Sequence, residues 1–286
     1  MQKKPKLSAI GAKLRKKHIL AAFVAIAVGL VWLVPFLGVV MTALRPSRDV
    51  IYGWWRPPFL FTTDNLFRAW THPTASLATG LRNSAQMAFF ATILPTFIAS
   101  LMAYGLARLR FPGRGPTLMT IGLLLAIPQQ MVAWPVFQLL HRMGLLNTLT
   151  GLILVHSAWA LPWMVFFLRG FIETLPIELE EAAVIDGAGR FRTFFFIVFP
   201  LMLPALASAM VLQFTWAWND FFMALVLVYD PKRMVVTQQI PLLRGQYHVD
   251  WGLLSAGALL AMLPPLLVFI FLQRYFVRGL VGGAVK

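Results

Sequence analysis

Long apolar runs are the feature that most limits how this sequence can fold. Six segments are apolar and long enough to cross a bilayer as helices, each of which needs roughly 20 residues. They are 18–44, 82–107, 116–140, 148–169, 196–228 and 251–273. Because hydrocarbon offers no partner for backbone polar groups, a helix that satisfies its own groups is the expected form. The sequence therefore predicts an all-α polytopic membrane protein with six transmembrane helices.

Charged residues set the expected orientation of these spans. The chain has 286 residues, of which 59% are hydrophobic and 12% are charged, and its formal net charge is +15. The basic residues are scattered between apolar blocks, so they indicate membrane topology rather than a nucleic-acid partner. The positive-inside rule places the N-terminus and the loops 108–115 and 169–192 in the cytoplasm. Six spans return the C-terminus to the same side.

The expected organisation is a basic cytoplasmic N-terminus, 1–17, followed by one transmembrane domain, 18–286. The first apolar run is too long for a signal peptide and lacks a small-residue cleavage site, so we expect it to remain as an anchor. The domain contains a cytoplasmic loop, 170–195, and two long outer loops, 45–81 and 229–250. Four arginines of the first outer loop oppose the positive-inside rule, and a loop of this length can carry an amphipathic surface helix.

Several kinds of chemistry are excluded by composition. The chain has no cysteine, so it has neither a thiolate metal site nor a cysteine nucleophile, and its 5 histidines are dispersed without paired spacing. It contains no G-x-x-x-x-G-K-[ST] loop, so it cannot hydrolyse ATP by itself. The spans also lack paired carboxylates or a Ser-His set, which argues against an intramembrane enzyme.

The fifth span is unusually long and carries its own interruptions. Pro200 and Pro204 lie near its start, and each removes a backbone donor from a helix. Asn219 and Asp220 lie near its far end, where backbone groups freed by a break must be satisfied by a cavity, water or substrate. We therefore predict a kinked or broken helix.

A short cytoplasmic helix is expected within residues 176–189. Pro176 suits the first turn of a helix, and Gly187 or Gly189 can end it. The acidic residues that would meet the positive end of its dipole are Glu178, Glu180 and Glu181. The residues that share one face at i, i+3 and i+4 spacing are Leu179, Ala182 and Ala183. From the residues alone, a docking helix and a solvated connecting helix are both consistent with this pattern.

A longer motif surrounds this helix. The segments EAAVIDGAG and IVFPLMLP resemble the cytoplasmic signature of binding-protein-dependent ABC importer permeases, which reads Glu-Ala-Ala, three residues, Gly, nine residues, then Ile-x-Leu-Pro. The residues in register with it are Glu181, Ala182, Ala183, Gly187, Ile197 and Pro200. Phe199 stands where the signature has Leu, which exchanges one apolar residue for another. The resemblance implies a type I ABC importer permease (MetI-like) fold.

The resemblance covers nearly the whole chain and narrows to the carbohydrate-importer branch, which includes the maltose permease G subunit. Residues 82–115, 213–228 and 250–286 are similar to the second, fifth and sixth spans of that branch. It implies a bacterial or archaeal plasma (inner) membrane location and a second permease subunit. It also implies two ATPase subunits, which bind the ATP and Mg²⁺, and an extracytoplasmic sugar-binding protein. Glucose, mannose or a short α-glucoside are the first candidate sugars.

The same resemblance implies roles for two loops. The residues expected to couple this chain to an ATPase are Glu181, Ala182, Ala183, Asp186 and Gly187. The residues expected to reach the binding protein from the last outer loop are Gly245, Gln246 and Tyr247. Gly245 lets the backbone bend at the tip, while Gln246 and Tyr247 offer hydrogen bonds and a ring surface to a sugar.

Polar and aromatic side chains inside the spans are candidates for the substrate path. The chosen residues are Gln129, Gln130, Trp216, Asn219 and Asp220. Amide and carboxylate groups bond sugar hydroxyls, and aromatic rings pack on the C–H faces of sugars. The other interpretation is that the tryptophans form an interfacial belt and the amides hold helices together. The resemblance also leaves open whether this subunit or its partner permease contacts the sugar.

An ion-coupled secondary carrier is the alternative function. Such a carrier needs carboxylates within the membrane and usually shows internal repeats. Only Asp220 lies near the membrane interior, and neither half of the sequence matches the other. The sequence therefore favours a permease subunit driven by a separate ATPase.

Overall fold

The fold is described by a computed structural model that covers residues 7–51, 53–57, 59–245 and 249–284, with side chains described from Ile19 to Gln273. Within these ranges every regular element is a helix. The helices are α1 (Leu7–Ala43), α2 (Ser47–Val50), α3 (Asp64–Trp70), α4 (Leu77–Arg108), α5 (Arg114–Leu125), α6 (Gln129–Arg142), α7 (Leu149–Ile172), α8 (Glu178–Ile185), α9 (Arg190–Thr193), a π-helical turn (Phe194–Val198), α10 (Phe199–Leu201), α11 (Leu203–Asn219), α12 (Phe222–Leu227), α13 (Val236–Leu242) and α14 (Trp251–Ala284). The all-α prediction is confirmed.

Six membrane crossings follow when each bent pair of helices is counted as one span. Four helices are long and apolar enough to cross alone: Ile19–Ala43 of α1, α4, α7, and Trp251–Gln273 of α14. Two further crossings consist of helix pairs, α5 with α6 and Arg190–Leu201 with α11. The predicted number of spans agrees with this count.

The third predicted span, 116–140, is not one continuous helix. Its two halves, α5 and α6, meet at an angle of 103°. Pro128 explains the break, because proline lacks an N–H and pushes the residue before it out of the helical region. It adopts an extended conformation with φ −67° and ψ 140°, and α6 begins at the next residue, Gln129. The bend turns the start of α6 towards the other broken span.

The predicted break in the fifth span is confirmed at both of its ends. The segment Arg190–Leu201 and α11 meet at 71°, with Pro200 and Pro204 on either side of the bend. At the far end α11 stops at Asn219, and Asp220 is extended with φ −65° and ψ 128° before α12 begins. A polar dipeptide therefore lies at a gap between two helices.

Tight packing around α4 forms the core of the bundle. α4 packs along α7 and α11, and α11 packs in turn on α14. The fully buried alanines of α4 are Ala88, Ala91, Ala99 and Ala103. Small side chains let helix backbones approach closely where hydrocarbon gives no hydrophobic drive for association. Trp218 joins the same core, because its indole N–H donates to the Ala261 carbonyl at 3.1 Å.

The first outer loop is held by polar contacts rather than by one amphipathic helix. It contains two short helices, α2 and α3, and Arg45 is buried with its guanidinium donating to the carbonyls of Gly53 and Trp54, both at 3.1 Å. Arg68 donates to Asp250 at 2.9 Å, at the start of α14. Arg45 and Arg68, two of the arginines that oppose the positive-inside rule, therefore have structural partners within the chain.

Candidate functional site

A cavity of about 230 Å³ lies where the two broken spans face α7. Its walls come from the start of α6, the middle of α7 and the end of α11. The lining residues are Gln129, His156, Trp159, Ala160, Trp163, Gln213, Trp216, Asn219 and Asp220. Polar side chains at both helix breaks therefore line the same cavity. We call this space the tryptophan cavity.

Asp220 is fixed in the wall of the tryptophan cavity by three elements. Its carboxylate accepts hydrogen bonds from the N–H groups of Met223, at 3.3 Å, and Ala224, at 2.9 Å, and so caps α12. Its backbone carbonyl accepts from the Thr237 hydroxyl at 2.6 Å. From α7, His156 Nε2 lies 3.3 Å from Asp220 Oδ2, and both side chains are less than a tenth exposed. Asp220 is therefore a structural group as well as a wall of the cavity.

Gln213 and Trp163 form a second fixed part of the wall. The Trp163 indole N–H donates to Gln213 Oε1 at 3.3 Å, and Gln213 Nε2 donates to the Ala91 carbonyl of α4 at 3.1 Å. The rings of Trp163 and Trp216 meet edge to face with centroids 5.3 Å apart. Trp216 is 59% exposed, so its ring remains available to a molecule in the cavity.

The structure brings together four of the five residues predicted for the substrate path. Gln129, Trp216, Asn219 and Asp220 line the tryptophan cavity, whereas Gln130 is exposed and lies outside its lining. Gln130 is excluded because it follows Gln129 on α6, and consecutive helical residues point in different directions. Gln130 therefore does not line the tryptophan cavity, and its place in the path stays a prediction.

Trp163 is a lining residue that the sequence analysis did not select. Its position follows from helical spacing, because His156, Trp159 and Trp163 are three and four residues apart on α7 and so share a face. The sequence also places His156 and Trp159 in the fourth predicted span, 148–169, but nothing in the sequence connects them to Asp220. The spacing alone was a sufficient signal to add Trp163.

The short helix predicted within residues 176–189 is present, but it begins after Pro176, with Ile177 as its N-cap. α8 runs over Glu178–Ile185, and Gly187 follows it with a left-handed φ of +82°, as a helix-ending glycine requires. Glu181, Ala182 and Asp186 are exposed. Ala183 is buried within the chain, so it does not share an accessible face with Leu179 and Ala182, and that part of the prediction is corrected.

Glu180, rather than Glu181, is the acidic residue that anchors α8 to the membrane helices. Glu180 Oε1 accepts from Arg108 Nε at 2.7 Å, and Glu180 Oε2 accepts from the Tyr104 hydroxyl at 3.1 Å. Arg108 also donates to the Leu175 carbonyl at 2.8 Å. The sequence analysis missed this cluster because it assigned all three acids to the helix dipole.

The last outer loop has a firm base. Asn83 of α4 donates to the carbonyls of Lys232 and Met234 at 3.0 and 2.9 Å, and Gln238 of α13 donates to Val228 at 2.7 Å. Gly245 is exposed and has a left-handed φ of +71°, which permits the predicted bend. The predicted binding-protein residues Gln246 and Tyr247 lie outside the described residues.

Comparison with protein families decides the identity of the fold. The family model described as "Binding-protein-dependent transport system inner membrane component" matches residues 96–282. The chain belongs to this family of ABC importer permeases. The match includes both broken spans, the residues that line the tryptophan cavity and α8.

Individual relatives of this permease cover most of its length. It is 47% identical to the probable ABC transporter permease protein PH1036 of Pyrococcus horikoshii, over 95% of this chain and 99% of the relative. It is 31% identical to the trehalose/maltose transport system permease protein MalG of Thermococcus litoralis, over 94% and 97%. The alpha-glucoside transport system permease protein AglG of Rhizobium meliloti is 37% identical, over 80% and 61%.

Solved structures show the same permease fold. A chain from a bacterial ABC transporter that imports the acidic polysaccharide alginate superimposes with a TM-score of 0.77, at 20% identity, over 96% of this permease and 100% of that chain. A chain from the alginate transporter in complex with its pentasaccharide-bound periplasmic protein gives a TM-score of 0.65 at 15% identity, over 92% and 95%. The expected type I ABC importer permease fold is therefore confirmed.

Proposed function

We propose that this permease forms half of the translocation pathway of an ATP-driven, binding-protein-dependent sugar importer, and that the tryptophan cavity is part of the sugar path. The main support for the proposal is that aromatic rings and amide groups from the two helix breaks line one cavity. Aromatic rings pack on the C–H faces of sugars, and Gln129 and Asn219 can bond hydroxyl groups. Relatives named for trehalose/maltose and alpha-glucoside transport support the same substrate class.

The proposal assigns energy coupling to α8. Leu179, Glu181 and Ala182 are exposed on this helix and offer a small surface to a soluble partner. The proposed assembly contains a second permease subunit and two ATPase subunits, which bind the ATP and Mg²⁺ that this chain has no phosphate loop to hold. With α8 on the ATPase side, both termini are cytoplasmic.

The proposal assigns contact with the sugar-binding protein to the opposite side. The base of the last outer loop is fixed by Asn83 and Gln238, while exposed Gly245 lies beyond α13. Gly245, Gln246 and Tyr247 are the proposed contact residues.

Uptake by the reconstituted complex tests the proposal. The complex, copurified with its ATPase and binding-protein subunits, is placed in proteoliposomes and supplied with labelled trehalose, maltose, glucose or mannose. We expect uptake of at least one sugar that requires both ATP inside the vesicle and the binding protein outside. Uptake that instead follows an imposed ion gradient, without ATP or binding protein, would establish the secondary carrier.

A further inference from the structure

We infer that the tryptophan cavity is a subsite for one uncharged sugar unit and excludes sugars that carry a carboxylate. This inference rests on the proposed function and adds the charge class of the substrate. It also assigns a sugar contact to this subunit itself. The cavity of about 230 Å³ is small, and it shares Trp159, Trp163 and Trp216 with an adjoining apolar cavity of about 610 Å³ that could hold the rest of a longer sugar.

The charged side chains of the cavity wall limit which sugars the cavity can accept. Asp220 is the acid among the lining residues, and none of them is lysine or arginine. His156 is the remaining titratable lining residue, and its Nε2 already lies 3.3 Å from Asp220 Oδ2. His156 therefore faces Asp220 rather than offering a separate positive charge to a substrate. The carboxylate of a uronic acid would therefore meet a like charge and find no free cation.

Asp220 is held in place, so its negative charge stays at the cavity wall. Its two carboxylate oxygens accept hydrogen bonds from Met223 and Ala224, so the group cannot turn away without uncapping α12. Its side chain is 9% exposed, and a charge with little access to water is weakly screened. Like charges in such surroundings repel more strongly than they do at an open surface.

The rest of the wall suits a neutral polyol. Gln129 and Asn219 present amides, which donate to and accept from hydroxyl groups without adding charge. Trp216 presents a ring that is 59% exposed beside the more enclosed Trp159 and Trp163. A sugar ring packed on Trp216 would thus have hydrogen-bonding partners that carry no charge.

The absence of cysteine permits a direct occupancy test in the intact complex. A single cysteine is introduced by Asn219→Cys, with Gln129→Cys as a second position in the same cavity. Gln130→Cys is the matched control, because that residue is exposed but outside the lining. The rate of labelling by N-ethylmaleimide is measured with methyl α-glucoside or methyl α-mannoside, and with methyl α-glucuronide, which differs from the glucoside in its carboxylate.

We expect at least one neutral glycoside to slow labelling at residues 129 and 219 but not at 130. Slowing should be about tenfold when the glycoside is present at ten times its Kd, because the free fraction falls as 1/(1 + [L]/Kd). The glucuronide should give no slowing at the same concentration. In the double variant Asn219→Cys with Gln129→Arg, the added cation should allow the glucuronide to protect.

The outcomes separate this inference from the proposed function. Equal protection by the glucoside and the glucuronide would overturn the charge selection. Absence of protection by either neutral glycoside at both cavity positions, in complexes that still show binding-protein-dependent sugar uptake, would overturn the subsite and leave the importer function intact. Loss of that dependence in the unsubstituted complex would instead overturn the proposed function.

Discussion

Arg108 Nε lies 2.7 Å from Glu180 Oε1, at the point where the membrane span α4 meets the short helix α8. Both side chains are only 11–12% exposed, and the Tyr104 hydroxyl bonds the second oxygen of Glu180. The same span, α4, carries the Ala91 carbonyl that holds Gln213 in the wall of the tryptophan cavity. A continuous set of contacts therefore joins the exposed face of α8 to the proposed sugar path.

Breaking the Arg108–Glu180 pair should be costly. Removing one member of a buried ion pair typically destabilises a protein by about 3–5 kcal/mol, because the other charge stays buried. Arg108→Met or Glu180→Gln should therefore lower the unfolding temperature of the purified permease. Glu173→Gln is the control, because its 2.7 Å pair with Arg169 is 22–43% exposed and such i,i+4 pairs contribute only about 0.3–0.5 kcal/mol. Equal effects of Glu180→Gln and Glu173→Gln would contradict the anchoring role.

Glu181 should matter for coupling rather than for stability. It is exposed on α8, so Glu181→Lys reverses a charge on the proposed ATPase surface without removing a contact of the core. We expect sugar uptake and stimulated ATP hydrolysis to fall. The unfolding temperature should fall no further than in the Glu178→Lys control, which loses a similar interaction with the helix dipole, and the sugar affinity of the isolated binding protein should stay unchanged. Glu178→Lys, at the exposed start of the same helix, is the control. Normal uptake by Glu181→Lys would remove this residue from the coupling surface.

Asp220 should have two roles that can be separated: it stabilises α12, and it lines the proposed sugar path. Asp220→Asn keeps a side chain that caps helices well, whereas Asp220→Leu removes the cap of α12, which typically costs about 0.5–2 kcal/mol. Thermal unfolding should therefore show a larger loss for Leu than for Asn, and uptake should fall further for Leu. Identical unfolding temperatures for the two variants would show that the carboxylate does not stabilise α12.

Stability at acid pH should depend on Asp250, which lies outside the membrane. Burial alone would raise the pKa of this carboxyl, but hydrogen bonds from the Leu253 N–H, the Ser47 hydroxyl and Arg68 outweigh it and hold the pKa below the ordinary 3.8. A lowered folded-state pKa stabilises the fold above the unfolded-state value, and this contribution is lost as pH falls through the folded-state pKa.

The measurement is the unfolding temperature from about pH 6 down to the lowest pH that the detergent complex tolerates. Asp250→Asn should flatten the acid loss below about pH 4, because the substituted amide does not titrate. Asp64→Asn is the control, since that exposed carboxyl lies 4.0 Å from Arg68. An unchanged acid profile in Asp250→Asn would show that this cluster does not stabilise the outer face.

Local sequence was enough to predict the number of spans, the helix α8 and the break at Asn219, because each depends on hydropathy, proline or glycine within one segment. It did not predict the 103° bend at Pro128 in the third span. The sequence did not distinguish the anchoring residue Glu180 from the exposed Glu181. Glu180 is the anchor because it bonds Arg108, which lies 72 residues before it in the chain. The sequence likewise did not show that His156 contacts Asp220, or that Gln129 lines the cavity while Gln130 does not. These features depend on how the bent helices pack, which local pattern does not specify.

Sugar uptake per ATP hydrolysed tests the central claim most directly, when both are measured on the same proteoliposomes with the binding protein present. Trp216→Ala and Asn219→Leu should lower this ratio several-fold, because they alter the lining of the tryptophan cavity while leaving α8 and its anchor intact. Gln130→Leu, outside the lining, should leave the ratio unchanged. Unchanged ratios for both cavity variants, with Gln130→Leu behaving identically, would contradict a sugar path through this cavity.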